Sequence, residues 1–81
     1  MLTRAQRNTQ ADAAVRAAIG RAQGAYKLTN AESARAAGMA PRTWRERKAD
    51  PARFTLGELR DLYPVMRWTD EEIVGMIRGG L

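Results

Sequence analysis

Residues 30–49 have the sequence NAESARAAGMAPRTWRERKA, and this stretch decides the fold. A helix is predicted over its first eight residues, because alanine is the strongest helix former. Gly38 then supplies the positive φ with which helices often end, and Pro41 suits the first turn of a second helix. That helix must stop before Asp50-Pro51, since the residue preceding a proline avoids the α region. Two short helices joined by a three-residue turn form a helix-turn-helix pattern.

Four positions in this stretch suit two helices that cross and pack together. Ala34 is small where the second helix crosses, and Gly38 makes the turn. Met39 fills the space between the helices, and Trp44 points inward. At these four positions the chain resembles the phage repressor/Cro-like (XRE-type) helix-turn-helix family, and the resemblance covers roughly residues 13–77. It implies a lambda-repressor-like fold whose second motif helix enters the major groove of DNA.

The chain departs from the family pattern at three positions. Ala40 stands where Ser or Thr often caps the recognition helix, and Arg47 stands where many members bury an apolar residue. Pro64 interrupts a later helix that is usually continuous. The first two departures leave open another class of function. In that alternative the scaffold grips a protein partner, for instance as a small phage-encoded inhibitor of a host nucleic-acid-handling enzyme.

The helical wheel predicts which side chains of the second motif helix face outward. At 100° per residue, the face opposite Trp44 is shared by four residues: Arg42, Arg45, Glu46 and Ala49. The resemblance makes these four the candidate base contacts, with the two arginines placed for bidentate bonds to guanine. Glu46 would contact a base by accepting a hydrogen bond from a cytosine amine. Its alternative role is an ion pair with Arg42, one turn earlier in the helix.

Three further residues are candidate phosphate contacts. Thr43 and Arg47 lie on the flank of the same helix, about 100° and 140° around the wheel from Arg42. Asn30 begins the preceding helix and matches the family's phosphate-clamping position, where a helix N-terminus also favours an anion.

Capping boxes predict where helices begin outside the motif. Full Thr-x-x-Glu boxes start at Thr29, Thr55 and Thr69, and a helix is expected after each. Fifteen alanines and few β-branched residues make strands unfavourable, so the sequence predicts an all-α, compact five-helix bundle forming one domain over residues 1–81. Pro64 is expected to break or kink the fourth helix. Apolar residues at helical spacing supply the core side of the last two helices: Leu56, Leu59, Leu62, Tyr63, Ile73, Met76 and Ile77.

The first helix has two possible starting points. A Thr9/Asp12 pair gives a weaker capping box, and a Thr3/Gln6 pair allows an earlier start. Residues 1–9 are therefore either a flexible basic arm that reaches the duplex or a solvated extension of the helix. In both cases the helix is expected to end near Gly24.

Composition excludes most catalytic chemistry and hints at an anionic partner. The chain has no Cys and no His, so the usual zinc sites, thiol nucleophiles and Ser-His-Asp triads are excluded, and neither an enzyme nor a cofactor or metal is expected. No apolar run approaches the roughly 20 residues of a membrane span.

Fourteen Lys and Arg against nine Asp and Glu give a net charge of +5. Residues 1–53 carry +7 and residues 54–81 carry −2, which suggests one face for a polyanion.

These features predict a sequence-specific double-stranded DNA-binding protein, a phage or prophage-type transcriptional regulator in the cytoplasm of a bacterial host. A single module buries little surface, so a homodimer on a palindromic site is expected. Its interface is expected in the acidic C-terminal half, where five residues supply apolar surface: Trp68, Ile73, Met76, Ile77 and Leu81.

Overall fold

The structure is a computed structural model that describes residues 1–79, with five α-helices and one 3-10 turn. The helices in chain order are α1 (Arg4–Tyr26), α2 (Asn30–Ala36), α3 (Pro41–Ala49), α4 (Leu56–Met66) and α5 (Asp70–Arg78), and the 3-10 turn spans Pro51–Arg53. No strand occurs in this part of the chain, so the all-α, five-helix prediction is confirmed. Within the same residues, no helix is long and apolar enough to cross a membrane.

Each Thr-x-x-Glu box forms as predicted and begins a helix. At the start of α2, the Glu32 N–H donates to Thr29 Oγ1 at 3.0 Å, and the Thr29 N–H donates to the Glu32 carboxylate at 2.9 Å. The Thr29 main-chain donor is the main reason that the pKa of Glu32 is lowered. The same reciprocal bonds start α4 at Thr55 and α5 at Thr69. Because each box satisfies two amides and places an anion at the positive end of the helix dipole, it fixes where these short helices begin.

Helix α1 starts at the earlier of its two predicted positions. Thr3 and Gln6 form the capping box, whereas the Thr9 hydroxyl lies inside the helix and donates to the Ala5 carbonyl at 3.0 Å. The Thr9/Asp12 box is therefore wrong, and residues 4–9 form a helical extension, not a flexible arm.

The far end of α1 also differs from the prediction. The helix continues through Gly24 to Tyr26 and ends where Lys27 adopts a left-handed conformation, with φ 54°. A glycine costs a helix only about 1 kcal/mol relative to alanine, and good helix formers on both sides of Gly24 offset that cost. The Arg67 guanidinium, at the end of α4, lies 4.9 Å from the centre of the Tyr26 ring.

A stripe of small and branched side chains on α1 lies at the centre of the core. Its predicted members are all buried: Val15, Ala18, Ile19 and Ala22. Side chains from the rest of the chain close around this stripe, and the largest fully buried ones among them are Trp44, Leu62 and Met66, each 0 % exposed. Three residues predicted to face the core are instead exposed: Leu56 by 59 %, Tyr63 by 46 % and Ile77 by 64 %. Leu81, predicted at a dimer interface, lies outside the described residues.

Pro64 lies inside α4 and does not end it. The helix continues to Met66, and the Arg67 N–H donates to the Tyr63 carbonyl at 2.9 Å. Proline removes only the bond that would have joined residue 64 to the Arg60 carbonyl. Both Pro64 and Arg60 belong to the exposed side of the helix, so water can satisfy that carbonyl.

Arg21 of α1 joins the end of α4 to the start of α5. Its guanidinium donates to both carboxylate oxygens of Glu72, at 2.6 and 2.8 Å. The same group donates to the main-chain carbonyls of Met66 and Arg67, at 3.5 and 3.4 Å. The Arg21 guanidinium is the main cause that lowers the pKa of Glu72, and Glu72 in turn raises the pKa of Arg21.

This ion pair predicts an acid-sensitive fold. The pKa of Glu72 is lower in the folded chain than in the unfolded chain, so the unfolded chain takes up a proton first as the pH falls. We expect the free energy of unfolding to fall as the pH drops below about 4.3, the ordinary value for glutamate. Replacing Glu72 with Gln should lower the free energy of unfolding at neutral pH. It should also flatten the acid limb, that is, the fall in this free energy below about pH 4.3. Urea denaturation between pH 6 and pH 3 measures both effects.

The matched control for this test is Glu71→Gln. Glu71 is an exposed neighbour on α5 and makes no ion pair within residues 1–79. Its replacement should leave the acid limb as steep as in the original chain. An acid limb that is equally steep with Glu72→Gln would contradict the assignment.

Candidate nucleic-acid interface

Helices α2 and α3 pack against each other around the predicted turn. Gly38 has φ +68°, as the turn requires, and the N–H of the half-buried Met39 donates to the Ala34 carbonyl at 2.9 Å. Ala34 is 1 % exposed, and its small side chain allows α3 to approach closely. These three residues thus lie at the turn between α2 and α3 and at the place where the two helices meet.

Trp44 fixes α3 to the body of the molecule. Its side chain is 0 % exposed, and its ring packs edge-on against Phe54, with 5.9 Å between the ring centres. The indole N–H donates to Asn30 Oδ1 at 3.0 Å. Because a buried donor must find a partner, this bond defines the orientation of the indole and of the helix that carries it.

The opposite face of α3 is exposed to solvent, as the helical wheel predicts. The Arg42 side chain is 87 % exposed and the Glu46 side chain 53 % exposed, and their charged groups form an ion pair at 3.4 Å. Arg45 and Ala49 are also exposed. An exposed pair of this kind contributes little to stability, so Arg42 can exchange Glu46 for another anion at small cost. The four candidate base contacts thus lie together on one accessible, basic face.

Asn30 is held by three donors at the start of α2. Its Oδ1 accepts from Trp44 Nε1 and Gln23 Nε2, both at 3.0 Å, and from Lys48 Nζ at 3.3 Å. The amide N–H groups of Asn30 make no hydrogen bond to any part of the chain from residue 1 to residue 79. With the oxygen engaged, the side-chain nitrogen is oriented by the network and keeps two donors for an outside acceptor. A phosphate contact by Asn30 stays a prediction that this geometry allows.

The two flank residues of α3 have different surroundings. Thr43 is half-buried. Arg47 lies at the junction with α4, where its Nε forms an ion pair with a Glu58 carboxylate oxygen at 3.3 Å. The side chains of the pair are only 22 % and 19 % exposed. The charged partner on α4 thus accommodates an arginine at a position where the family often has an apolar residue. Because the Arg47 guanidinium faces Glu58, its position does not favour the predicted phosphate contact.

The C-terminal end of α3 is closed by a residue that sequence reasoning missed. Arg16 of α1 donates to the Lys48 carbonyl at 3.1 Å and to the Ala49 carbonyl at 2.9 Å. A cation at the negative end of a helix dipole is favourable, and these bonds satisfy two carbonyls that a helix end leaves free. Arg16 lies 32 residues before Lys48, so no local pattern announces the contact. At the other end, Ala40 provides no side-chain cap, as predicted.

The exposed face of α3 carries groups that suit the binding of an anion. No group of three or more His, Cys, Asp or Glu residues that could hold a metal occurs in the described chain. The exposed charged side chains of α3 are Arg42, Arg45 and Glu46, and guanidinium groups match the geometry of phosphates and guanine edges.

Comparison of the chain with protein-family models, with curated proteins and with solved structures finds no match. The resemblance to the XRE-type family therefore rests only on four motif residues: Ala34, Gly38, Met39 and Trp44. It stays a prediction about ancestry, while the helix geometry around these residues is an observation.

Proposed function

We propose that this chain is a sequence-specific double-stranded DNA-binding protein, a phage or prophage-type transcriptional regulator that acts by occupying an operator. In this proposal α3 is the recognition helix, which lies in the major groove. Arg42 and Arg45 contact guanines, Glu46 and Ala49 lie against neighbouring bases, and Asn30 and Thr43 hold the phosphate backbone. The site of action is the DNA in the cytoplasm of a bacterial host.

One observation carries the proposal: two arginines are exposed on the face of α3 that lies opposite the buried Trp44. A solvated helix needs no rigid attachment, whereas a helix that reads base edges must be held at a fixed angle and depth. Trp44 is bonded to Asn30, and Arg16 closes the helix end, so α3 is held at both its inner face and its C-terminus. Preorganised charged groups on a rigid element are the usual design of a specific binding site.

Operator specificity in this proposal needs two copies of the chain. One module of this size buries little DNA surface, and a nine-residue recognition helix contacts only a few base pairs. Two copies related by a two-fold axis would bind a palindrome whose half-sites lie about one helical turn apart.

The test is selection from random duplex oligonucleotides with the purified chain at moderate salt. We expect enrichment of a palindromic sequence with half-sites spaced by about 10 base pairs. Affinity for the selected duplex should fall by about 10³-fold between 50 and 200 mM salt if two copies together neutralise about six phosphates. Failure to enrich any sequence, or an affinity that barely depends on salt, would contradict the proposal and favour the protein-partner hypothesis.

A further inference from the structure

A groove between α4 and α5 has walls that are almost entirely apolar. Its volume is about 230 Å³. A cavity of about 150 Å³ is large enough to hold benzene, and drug-sized pockets begin near roughly 300 Å³. The groove therefore has the size of a site for a small molecule with about one ring. Its lining residues are Leu56, Leu59, Arg60, Tyr63, Trp68, Ile73, Met76 and Ile77.

Two of the lining residues carry a hydrogen-bond donor without a partner. Trp68 is 5 % exposed, and its buried indole N–H has no acceptor within residues 1–79. Arg60 is exposed, and its guanidinium forms no ion pair within the same residues. Nearly all buried donors in folded proteins are paired, so the unpaired indole indicates that this site lacks an acceptor in the free chain.

The charge of the groove selects an anion. Arg60 is the one charged residue among those that line it, and no carboxylate of the described chain does so. Asp70 and Glu71 of α5 line a separate surface depression instead. A single guanidinium balances one negative charge, which is the charge of a carboxylate, whereas a phosphate monoester carries about −1.5 to −2 at neutral pH. The groove thus suits an apolar molecule that ends in one carboxylate.

The apolar walls favour an aromatic body. Two of the lining residues, Tyr63 and Trp68, have rings that can pack against a third ring in an offset or edge-on arrangement. Met76 adds a thioether, and sulfur makes favourable contacts with aromatic rings.

We propose that this groove binds a small aromatic carboxylate, whose ring lies between α4 and α5 and whose carboxylate pairs with Arg60. An acceptor in the groove also offers the Trp68 indole N–H the partner that it lacks in the free chain. The site goes beyond the proposed function, because none of the candidate base or phosphate contacts lines it.

The position of the groove leaves the exposed face of α3 free. Glu58, which pairs with Arg47 of α3, lies about 160° around α4 from Leu56. The helix α4 therefore contacts α3 on one side and presents the groove on the other. A ligand in the groove does not cover Arg42 or Arg45.

A second copy of the chain is the other occupant to consider. Stable protein interfaces use roughly 20–30 residues on each side. Eight residues line the groove, and only three of the apolar ones are strongly exposed: Leu56, Tyr63 and Ile77. The groove by itself therefore matches a small molecule better than a protein surface.

Proton–nitrogen correlation NMR of the purified chain without DNA tests the proposal, with phenylacetate as the probe. The chain has two tryptophans and therefore two indole N–H peaks, which the variant Trp44→Phe assigns. We expect the Trp68 peak to shift and to saturate with a Kd on the order of 1 mM or below, as the size of the probe allows. The Trp44 peak, whose N–H donates to Asn30, should stay in place. A Trp68 peak that does not move, or that moves without saturating, would overturn the site.

Matched ligands and variants test the role of Arg60. Phenylacetamide has the shape of the probe without its charge, and it should bind roughly 5-fold more weakly, the size of one exposed ion pair. In Arg60→Gln the probe should bind as weakly as the amide. Arg45→Gln removes the same charge from α3, outside the groove, and should leave the affinity unchanged. Equal affinities of the two ligands for the original chain would contradict the pairing with Arg60.

A second pair of variants tests the apolar walls. Ile77→Glu places a negative charge in the groove and should weaken binding of the probe by roughly 10-fold or more. Val65→Glu is the control, because Val65 is an apolar residue of α4 that is 37 % exposed but does not line the groove. Circular dichroism checks that both variants fold. Undiminished binding to folded Ile77→Glu would place the probe elsewhere and overturn the proposal.

Dilution of the free chain distinguishes the ligand from a second copy. We expect the Trp68 peak to be independent of protein concentration in the absence of the probe. A peak that moves on dilution, together with an apparent mass that rises from 9.0 kDa towards twice that value, would assign the groove to self-association and overturn the proposal. Because no DNA is present, these results are independent of whether the chain binds an operator.

Discussion

Replacing both Arg42 and Arg45 with alanine should weaken specific binding to duplex DNA by roughly 100-fold or more, because each bidentate arginine contributes about 1–3 kcal/mol of base discrimination. Both side chains are exposed on α3, and the Arg42–Glu46 pair is solvent-exposed. The free energy of unfolding should therefore change by no more than about 0.5 kcal/mol. Fluorescence anisotropy with the selected duplex at fixed salt measures the affinity, and urea denaturation measures the stability.

The control removes the same charge at a distant part of the surface. Arg7 and Arg78 lie where α1 meets the end of α5, and Gly79 there packs so closely against the Arg7 main chain that a Cβ would collide with it. With both of these residues replaced by alanine, specific affinity should fall far less than with the α3 double variant. Equal losses in the two variants would mean that net charge, not the α3 face, carries the binding.

Replacing Trp44 with alanine should remove most of the stability of the fold. Truncating a buried Trp typically costs about 3–5 kcal/mol, and an 81-residue domain is stable by roughly 4–12 kcal/mol in total. Trp44 is wholly buried, packs against Phe54 and donates to Asn30, so its loss leaves both a cavity and an acceptor with one fewer donor. Urea denaturation followed by circular dichroism should show a large drop in the midpoint.

Two further variants separate the contributions of Trp44. Trp44→Phe keeps an aromatic ring but removes the indole N–H, so it should cost clearly less than alanine. Leu56→Ala truncates a large apolar residue that is 59 % exposed, and it should have little effect on the unfolding free energy of the monomer. A Trp44→Ala variant that loses less than about 1 kcal/mol would contradict the role of this residue as the anchor of α3.

Most of the fold follows from local chemistry that a sequence displays. A Thr-x-x-Glu box needs only four residues, so the starts of α2, α4 and α5 are visible without any knowledge of tertiary contacts. Gly38 and Pro41 bound the turn for equally local reasons, namely a positive φ and a missing N–H.

The wrong predictions arose where tertiary contacts or solvent decide between local alternatives. Thr9 has the spacing of a cap, but Thr3 offers an earlier box and the helix simply runs through Thr9. Pro64 removes a single bond on an exposed side of α4, which the chain tolerates because the rest of that helix is anchored by Leu62 and Met66. Leu56 has the spacing of a core residue, yet no element covers it within the described chain.

In the candidate site, too, local features could be predicted from the sequence and tertiary contacts could not. The wheel predicted which side of α3 faces out, because Trp44 can lie only on the inner side. It could not predict that Arg16 closes the end of α3 or that Glu58 neutralises Arg47, because these contacts join residues of different helices. The partner of a long arginine side chain depends on which groups the tertiary fold brings near it, and the neighbouring sequence does not indicate these groups.

The two ends of α3 are held unequally. Arg16 donates hydrogen bonds to the carbonyls at the C-terminus of the helix, whereas its first turn begins at Ala40 without a side-chain cap. A helix loosens first where its end groups are unsatisfied, so we expect α3 to open first at the turn that carries Arg42 and last at the turn that Arg16 closes. In the proposed complex, a partner that binds Arg42 would order this first turn, and the conformational freedom lost there would oppose association.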